Sequence, residues 1–397
     1  MTADVAIVGG GPAGAALATL LARGGRNVVV FERAPAYRWH ACGVFSSPAS
    51  IDALRRIGLD DVTLRRVTRP VSGLQVETAA GTRFSLTYGD DGSLSAPPVG
   101  FDRSALDPAL IALAHETGAD VRLGAAVSAV DGSRLTIREA ADESTAEARV
   151  VVGADGIRST VARAFGVVRH ARLAPRTGLT FHVEDASSAT PRHGRMVLFR
   201  DGYVGLAPVP EGRVNVGIVM GRSWANELRA DGAETVAARV LSAVPADPND
   251  PVDWRTPVRC DPIEGAAPLG HRVARRHGPN WLLVGDAAGF LDPFTGEGLH
   301  RALVSAELAA TAIDRHLDGD AGGLPAYEAA MRARFRSKDA LTLLVQAFLA
   351  RPALFDYAAR RLAARPAVRE TMGRVMGDLV PASRGLDPRF LAALLAP

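Results

Sequence analysis

Three short glycine-containing segments each come directly after a run of apolar residues, and the second and third also carry carboxylates. They are residues 9–14 (GGGPAG), 153–156 (GADG) and 285–298 (GDAAGFLDPFTGEG). Glycine lets a backbone approach a ligand closely, and a carboxylate accepts hydrogen bonds from sugar hydroxyls. These segments therefore predict a site for a nucleotide-containing cofactor.

The first segment carries a complete dinucleotide-binding fingerprint. The apolar run at residues 5–8 predicts a buried strand, and a helical pattern follows the glycines. Gly9 is expected to make the tight turn, Gly11 to let the backbone approach a pyrophosphate, and Gly14 to allow close helix–strand packing. The helix N-terminus then offers free amides and a positive dipole end to the phosphates.

An acid closes the next strand. The apolar run at residues 28–31 ends in Glu32, whose carboxylate suits both hydroxyls of a ribose. An acid here argues against a 2′-phosphate, so the predicted dinucleotide is FAD or NAD. Pro12, Ala13 and Arg33 are assigned to the same site.

Two later segments decide between these cofactors. Residues 150–163 are interpreted as strand, turn and helix start, and residues 281–303 as strand, loop and long helix. In this order and spacing, the three segments resemble the flavoprotein superfamily that contains aromatic hydroxylases (group A flavin monooxygenases) and geranylgeranyl reductases. The resemblance implies an α/β fold: a Rossmann-like, glutathione-reductase-like FAD-binding domain, an interleaved mixed β-sheet substrate domain and C-terminal helices.

The resemblance also assigns roles to residues. It places Asp286 on the FAD ribityl chain, a cofactor contact at Arg103, and the backbone of Val127 at the adenine. Gly296, Gly298 and Leu299 would face the pyrimidine end of the flavin, where a helix dipole stabilises negative charge. The remaining predicted cofactor contacts are Cys42, Gly43, Asp155, Gly156, Gly285 and Pro293. Ordinary strand–turn–helix joints and a solvated arginine are the structural alternatives.

FAD is expected to be tightly and non-covalently bound. The chain has one dinucleotide fingerprint, which argues against a tightly bound nicotinamide; the resemblance implies that NAD(P)H acts as a transient electron donor. No metal site is predicted.

The segment HACGVFSSP (residues 40–48) resembles the cysteine loop of geranylgeranyl reductases, which lies beside the isoalloxazine on the substrate side. Cys42 is therefore a candidate to contact flavin or substrate, or to donate a proton. His40 is the neighbouring base, and Tyr203 is a further catalytic candidate on the sheet wall. Packing roles for Cys42 and Tyr203 are the alternatives.

One segment departs from the prenyl reductases, which carry Tyr-x-Trp-x-Phe-Pro along the lipid tunnel. Here residues 202–208 read GYVGLAP, with Gly205 in place of Trp and Ala207 in place of Phe. Losing two aromatic side chains predicts a cavity for a different or bulkier substrate.

These features predict an FAD-dependent monooxygenase that hydroxylates or epoxidises a bulky apolar secondary metabolite with NAD(P)H and O₂. The alternative is a geranylgeranyl-reductase-like enzyme that reduces C=C bonds of an isoprenoid or polyene. Halogenation is disfavoured, because the chain has no Trp-x-Trp-x-x-Pro segment and its single lysine, Lys338, lies in the C-terminal helices. A flavin-free binding protein is a further alternative, which the colour of the purified protein tests.

Length, charge and cysteine content argue against several other classes of protein. The 397 residues carry a net charge of +3 and two cysteines, which argues against nucleic-acid binding and a disulfide framework. No signal peptide or membrane span is predicted, and a cytoplasmic monomer or homodimer is expected. The C-terminal helices could close over the flavin domain or make weak contact with a membrane or carrier protein.

Interleaved segments define the expected domains. Alternating apolar patterns after residue 70 and after residue 179 predict strands of one sheet. The predicted ranges are 1–69, 99–175 and 259–323 for the FAD-binding domain, 70–98 and 176–258 for the substrate sheet, and 324–397 for the helical region.

Overall fold

The computed structural model describes residues 2–396, except residues 38, 40–42, 89–96, 141, 172–173, 186–191 and 249. The strands are β1 (Thr2–Val8), β2 (Val28–Glu32), β3 (Phe45–Ser46), β4 (Thr68–Glu77), β5 (Arg83–Leu86), β6 (Val99–Phe101), β7 (Asp120–Leu123), β8 (Ala125–Asp131), β9 (Arg134–Glu139), β10 (Asp142–Gly153), β11 (Val168–Arg169), β12 (Arg176–Glu184), β13 (Arg192–Phe199), β14 (Gly202–Val209), β15 (Arg213–Met220), β16 (Glu264–Leu269), β17 (Arg272–Val273) and β18 (Trp281–Leu283). The α-helices are α1 (Pro12–Arg23), α2 (Pro48–Ile57), α3 (Asp61–Val67), α4 (Arg103–Glu116), α5 (Thr160–Ala164), α6 (Ala225–Ser242), α7 (Gly298–Leu317), α8 (Gly323–Leu349), α9 (Pro352–Ala364), α10 (Pro366–Met376) and α11 (Pro388–Leu395).

A seven-stranded sheet has the order β7-β2-β1-β10-β9-β8, with β18 also paired to β10. Strands β7, β2, β1 and β18 run parallel to one another and to the second half of β10. The middle strands are Val- and Ala-rich and almost wholly buried, as a parallel sheet covered on both faces requires. Strands β8 and β9 extend β10 as an antiparallel hairpin.

Helices cover both faces of this sheet. Helices α1, α4 and α7 share one apolar core with the sheet and with the first half of α8. The other face packs against α5 and the β8–β9 hairpin. This arrangement gives the α/β class expected from alternating strand and helix patterns.

A nine-stranded mixed sheet has the order β16-β12-β15-β14-β13-β4-β6-β3, with β5 paired to β4. Side chains alternate across β14: Val204 and Leu206 pack toward α6, whereas Tyr203 lies on the opposite face. Gly205 and Ala207 follow Tyr203 at the same period of two residues, so they share that opposite face. We call this opposite side the open face of the sheet.

The C-terminal helices join the two cores. The first half of α8 packs with α7 through Tyr327, Met331 and Phe335. Its second half, with Leu341, packs with α9, α10 and α11 on β4, β5 and the open face. These helices therefore contact both sheets and do not only close over the first.

The predicted architecture is confirmed. Helix α6 is interrupted by the non-helical residue Gly232. Strands β3, β6 and β16 lie in the nine-stranded sheet, and the domain boundaries stay a prediction. No helix of the described part of the chain is long and apolar enough to cross a membrane.

Packing of α8 on the sheet predicts a stability effect. Leu341 is 1% exposed, so Leu341→Ala should lower the free energy of unfolding by about 2–5 kcal/mol through lost burial and a cavity. Leu395 is 38% exposed, so Leu395→Ala should change it by less than about 1 kcal/mol. Equal effects of the two substitutions in denaturant unfolding would contradict this packing.

Candidate cofactor site and active site

The parallel strands end at one edge of the seven-stranded sheet. Val8 of β1 pairs with Gly153 of β10, which in turn pairs with Leu283 of β18. All three glycine-containing segments follow these strand ends, so they meet at this edge, where open parallel sheets bind ligands.

Close backbone contacts hold the segments together. Gly9 has a φ of +104°, and a Cβ on it would lie 2.5 Å from the carbonyl oxygen of Ala154. A Cβ on Gly14 would lie 2.0 Å from the carbonyl oxygen of Gly9. Neither position can therefore carry a side chain without moving the backbone.

The start of α1 is open. Gly11 precedes the helix without a side-chain cap, and Pro12 occupies the first turn. A Cβ on Gly11 would have no atom of the described chain within 4 Å. The first amides of α1 therefore face free space, which suits a pyrophosphate. Ala13 packs closely against Gly285, since a Cβ on Gly285 would lie 2.8 Å from the Ala13 methyl group.

Glu32 lies where the fingerprint places it, with part of its carboxylate already engaged. Oε2 accepts a hydrogen bond from the amide of Gly10 at 2.8 Å, and Oε1 accepts one from Ala34 at 2.9 Å. Each oxygen keeps a lone pair for a ribose hydroxyl. Arg33 is exposed and lines a neighbouring cleft of about 780 Å³ with Arg122.

Arg103, the first residue of α4, is nearly buried. Its guanidinium forms a bidentate ion pair with Asp107, at 2.7 and 2.8 Å. Asp286 follows β18, and neither of its carboxylate oxygens has a hydrogen-bond partner in the described chain. Burial raises the pKa of Asp286 to about 6, against the opposing charges of Arg103 and Arg301. A buried carboxylate without donors fits the hydroxyls of a ribityl chain.

The β10 turn also leaves an oxygen unpaired. Asp155 accepts a hydrogen bond from the amide of Thr160 on Oδ2 at 2.6 Å, whereas Oδ1 is buried without a partner in the described chain. Burial raises the pKa of Asp155. Gly156 has a φ of +74°, and Val127 lies at a bulge between β8 and β9.

The loop before α7 contacts the open face of the second sheet. Tyr203 is buried and donates a hydrogen bond to Asp292 at 2.7 Å. Arg176 lies 3.2 Å from the other oxygen of Asp292, and Phe294 packs edge-on against the Tyr203 ring. Burial raises the pKa of Tyr203 well above its usual value. These contacts give Tyr203 a packing and loop-holding role; its catalytic role stays a prediction.

The segment that opens α7 lies against the chain after β2. Gly296 has a φ of +67°, and a Cβ on it would lie 2.9 Å from the ring of Phe45. Gly298 borders open space, whereas Pro293 begins a 3-10 turn and Leu299 is buried. The glycines leave the N-terminus of α7 accessible to a flat ligand.

His40 and Cys42 lie outside the described residues. Gly43, next to them, is exposed and has open space at its Cβ position.

Sequence reasoning missed a buried ionic cluster at the start of α7. The Lys338 ammonium lies 2.8 Å from Asp378 and 3.3 Å from Glu297, and donates to the carbonyl of Val375 at 3.0 Å. Asp378 also accepts from Ser47. The sequence feature that could have indicated this cluster is the single lysine, since the other 45 basic residues of the chain are arginine.

Comparison with known proteins identifies the family. Residues 2–338 match the model of the FAD-binding domain family. The chain belongs to this family and is a flavoprotein.

Three proteins illustrate the likeness of this flavoprotein. A menaquinone reductase of Mycolicibacterium smegmatis is 30% identical over 327 residues, which cover 78% of this chain and 75% of that protein. A digeranylgeranylglycerophospholipid reductase 1 of Methanopyrus kandleri is 30% identical over 355 residues, covering 85% and 88%. The solved structure of the flavin-dependent brominase Bmp2 has a TM-score of 0.77 at 20% identity, covering 95% and 94%.

The flavoprotein is thus an FAD-dependent oxidoreductase. Its site fits FAD: a Cβ on Gly11, before α1, would meet free space, Oδ1 of Asp155 is buried without a partner in the described chain, and burial raises the pKa of Asp286. The expectation of FAD over NAD is confirmed at the level of the family.

Two glycine substitutions should separate folding from cofactor binding. Gly14→Ala should lower both stability and FAD content, because its methyl group would meet backbone. Gly11→Ala should change apoprotein stability by less than about 1 kcal/mol but weaken FAD binding by about tenfold or more, since its methyl group enters free space. Wild-type FAD affinity in Gly11→Ala, measured by flavin fluorescence, would contradict this site.

The raised pKa of Asp286 predicts a pH effect in the apoprotein. Its pKa is 3.8 unperturbed and about 6 in the folded chain, so the folded state binds more protons between these values. The stability of the wild type relative to Asp286→Asn should therefore fall as pH rises from about 4 to 6 and stay level above. Melting temperatures of both apoproteins across this range check the effect, and a pH-independent difference would contradict the burial of this carboxylate.

Proposed function

We propose that this flavoprotein reduces a carbon–carbon double bond of a bulky apolar substrate, with NAD(P)H as transient electron donor. The observation that carries the proposal is the 30% identity to two reductases over more than three quarters of the chain. The likeness to the brominase, at 20% identity, concerns the fold alone.

FAD supplies the hydride when it is bound. The chain's own residues hold the cofactor through the amides of α1, Glu32 and Asp286, and keep water from the reacting bond. Cys42, His40 and Tyr203 are the proposed sources of the proton.

The open face of the sheet provides room for such a substrate. A Cβ on Gly205 would lie 3.6 Å from the nearest atom, on Met196, and a Cβ on Gly217 would lie 3.9 Å from its nearest neighbour. Gly205 and Gly217 pair across adjacent strands and carry no side chains. We call this part of the open face, beside Tyr203 and Phe294, the glycine floor. This floor supports a substrate broader than a linear prenyl chain.

The same floor favours a second candidate, oxygenation of an electron-rich apolar substrate with NAD(P)H and O₂. Oxygenation asks the protein mainly to orient the substrate and to exclude water. The small residues that stand in place of tunnel aromatics, Gly205 and Ala207, are the observation in its favour.

Halogenation has less support. A halogen-carrying lysine must present its amine to the substrate, whereas the Lys338 ammonium is 3% exposed and held between Glu297 and Asp378.

A single-turnover experiment distinguishes the candidates. The purified flavoprotein is photoreduced under argon and mixed with menaquinone or geranylgeraniol, with and without O₂. Reduction of a C=C bond predicts oxidation of the flavin by a probe under argon and a product that gains two hydrogen atoms in its prenyl chain. Two hydrogen atoms gained at the quinone ring of menaquinone would not support the proposal. A product that gains one oxygen atom, formed only with O₂, would favour the second candidate. Unchanged probes under both gases would contradict the proposed substrate class, and Gly11→Ala serves as the flavin-depleted control.

A further inference from the structure

A buried histidine–aspartate pair lies on β12, away from the glycine segments. His182 is 0% exposed, and its Nδ1 lies 2.5 Å from a carboxylate oxygen of Asp261. The other oxygen of Asp261 accepts the backbone amide of His182 at 2.8 Å. Burial lowers the pKa of His182, although Asp261 opposes the shift. The ring is therefore neutral, with its proton on Nδ1 and a lone pair on Nε2.

Two nitrogen atoms beside this pair have no partner. Nε2 of His182 and Nε1 of Trp39 are both buried, and neither has a hydrogen bond in the described chain. The two rings lie side by side, with centroids 4.2 Å apart and planes inclined at 58°. An unpaired buried donor next to an unpaired buried acceptor is costly and calls for an explanation.

The neighbourhood connects these nitrogens to the open face. His182 pairs with Asn215 across β12 and β15, and Asn215 pairs with Ala207 across β15 and β14. These three residues share the open face with Gly205 and Gly217. Trp39 packs against the small cluster of Val44, Ala207 and Val209.

The far end of the same floor reaches the cofactor loop. Tyr203 contacts Phe294 of that loop edge-on, with ring centroids 5.0 Å apart. A ligand on the glycine floor would thus have one end beside the loop that opens α7 and the other beside His182.

We propose that His182 and Trp39 bind a hydroxyl group on a ring of the substrate. The hydroxyl donates its proton to Nε2 of His182 and accepts the Nε1–H of Trp39, so both unpaired nitrogens are satisfied by one oxygen. The substrate class is a ring alcohol or phenol on an apolar framework, anchored at the end away from the reacting bond. Asp261 is a positioning residue that holds the tautomer. This inference rests on the proposed function in placing an apolar substrate on the open face.

Paired ring probes test the hydroxyl site without turnover. 1-Naphthol and naphthalene share a ring system, and each is titrated into the oxidised holoprotein while the flavin absorbance is followed. Two hydrogen bonds should make 1-naphthol bind about tenfold tighter or more. The ratio of the two dissociation constants depends on contacts with the hydroxyl oxygen. General loosening of the pocket would change both constants and leave their ratio unchanged.

Variants assign the preference to named atoms. In His182→Asn the amide can still donate to Asp261 but offers no acceptor at the Nε2 position, so the ratio should fall to about one. Trp39→Phe should reduce the ratio in part, and Asp261→Asn should reduce it by releasing the tautomer. His193→Asn, at an exposed histidine of β13, should keep the wild-type ratio. FAD content and melting temperature verify folding.

Equal binding of both probes by the wild type, no binding of either probe, or an unchanged ratio in His182→Asn would overturn the hydroxyl site. Because no reductant or oxygen is used, these outcomes are independent of the turnover experiment. If the wild type prefers 1-naphthol but leaves menaquinone and geranylgeraniol unreacted, the result would contradict only the proposed function.

Discussion

The backbone contact between the β1–α1 turn and the end of β10 is the constraint on which the rest of the site depends. Gly9 and Gly14 leave no space for side chains, so the end of β1, the start of α1 and the β10 turn come within van der Waals distance. That closeness brings the amides of α1, the Asp155 turn and the Asp286 loop to one edge of the sheet. Substitution at either glycine would separate elements that each supply part of the cofactor site.

A second set of contacts fixes the sheets relative to each other. Asp292, in the loop before α7, is held by Tyr203 and Arg176 from the nine-stranded sheet. These groups are nearly buried, so their interactions are weakly screened by solvent and costly to break singly. The loop before α7, which we propose borders the cofactor, is therefore positioned by the nine-stranded sheet.

Local patterns predicted much of this architecture. The apolar runs, the glycine spacing and the acid at residue 32 identified the FAD edge, because strand, turn and helix there are contiguous in sequence. The pairings of Lys338 with Glu297 and of His182 with Asp261 could not be predicted, because each joins residues about 40 to 80 positions apart that only tertiary packing brings together. The two hydrogen bonds that Glu32 accepts from backbone amides could likewise not be predicted, because they depend on how the following turn folds back.

Lys338 has a consequence for chemical labelling. It carries the only side-chain amine of a 397-residue chain and is 3% exposed between α8 and the segment after α10. An amine-directed reagent can reach this nitrogen only when the C-terminal helices separate from the start of α7. The acylation rate of the Lys338 side chain, followed separately from that of the α-amino group, thus measures how often that junction opens.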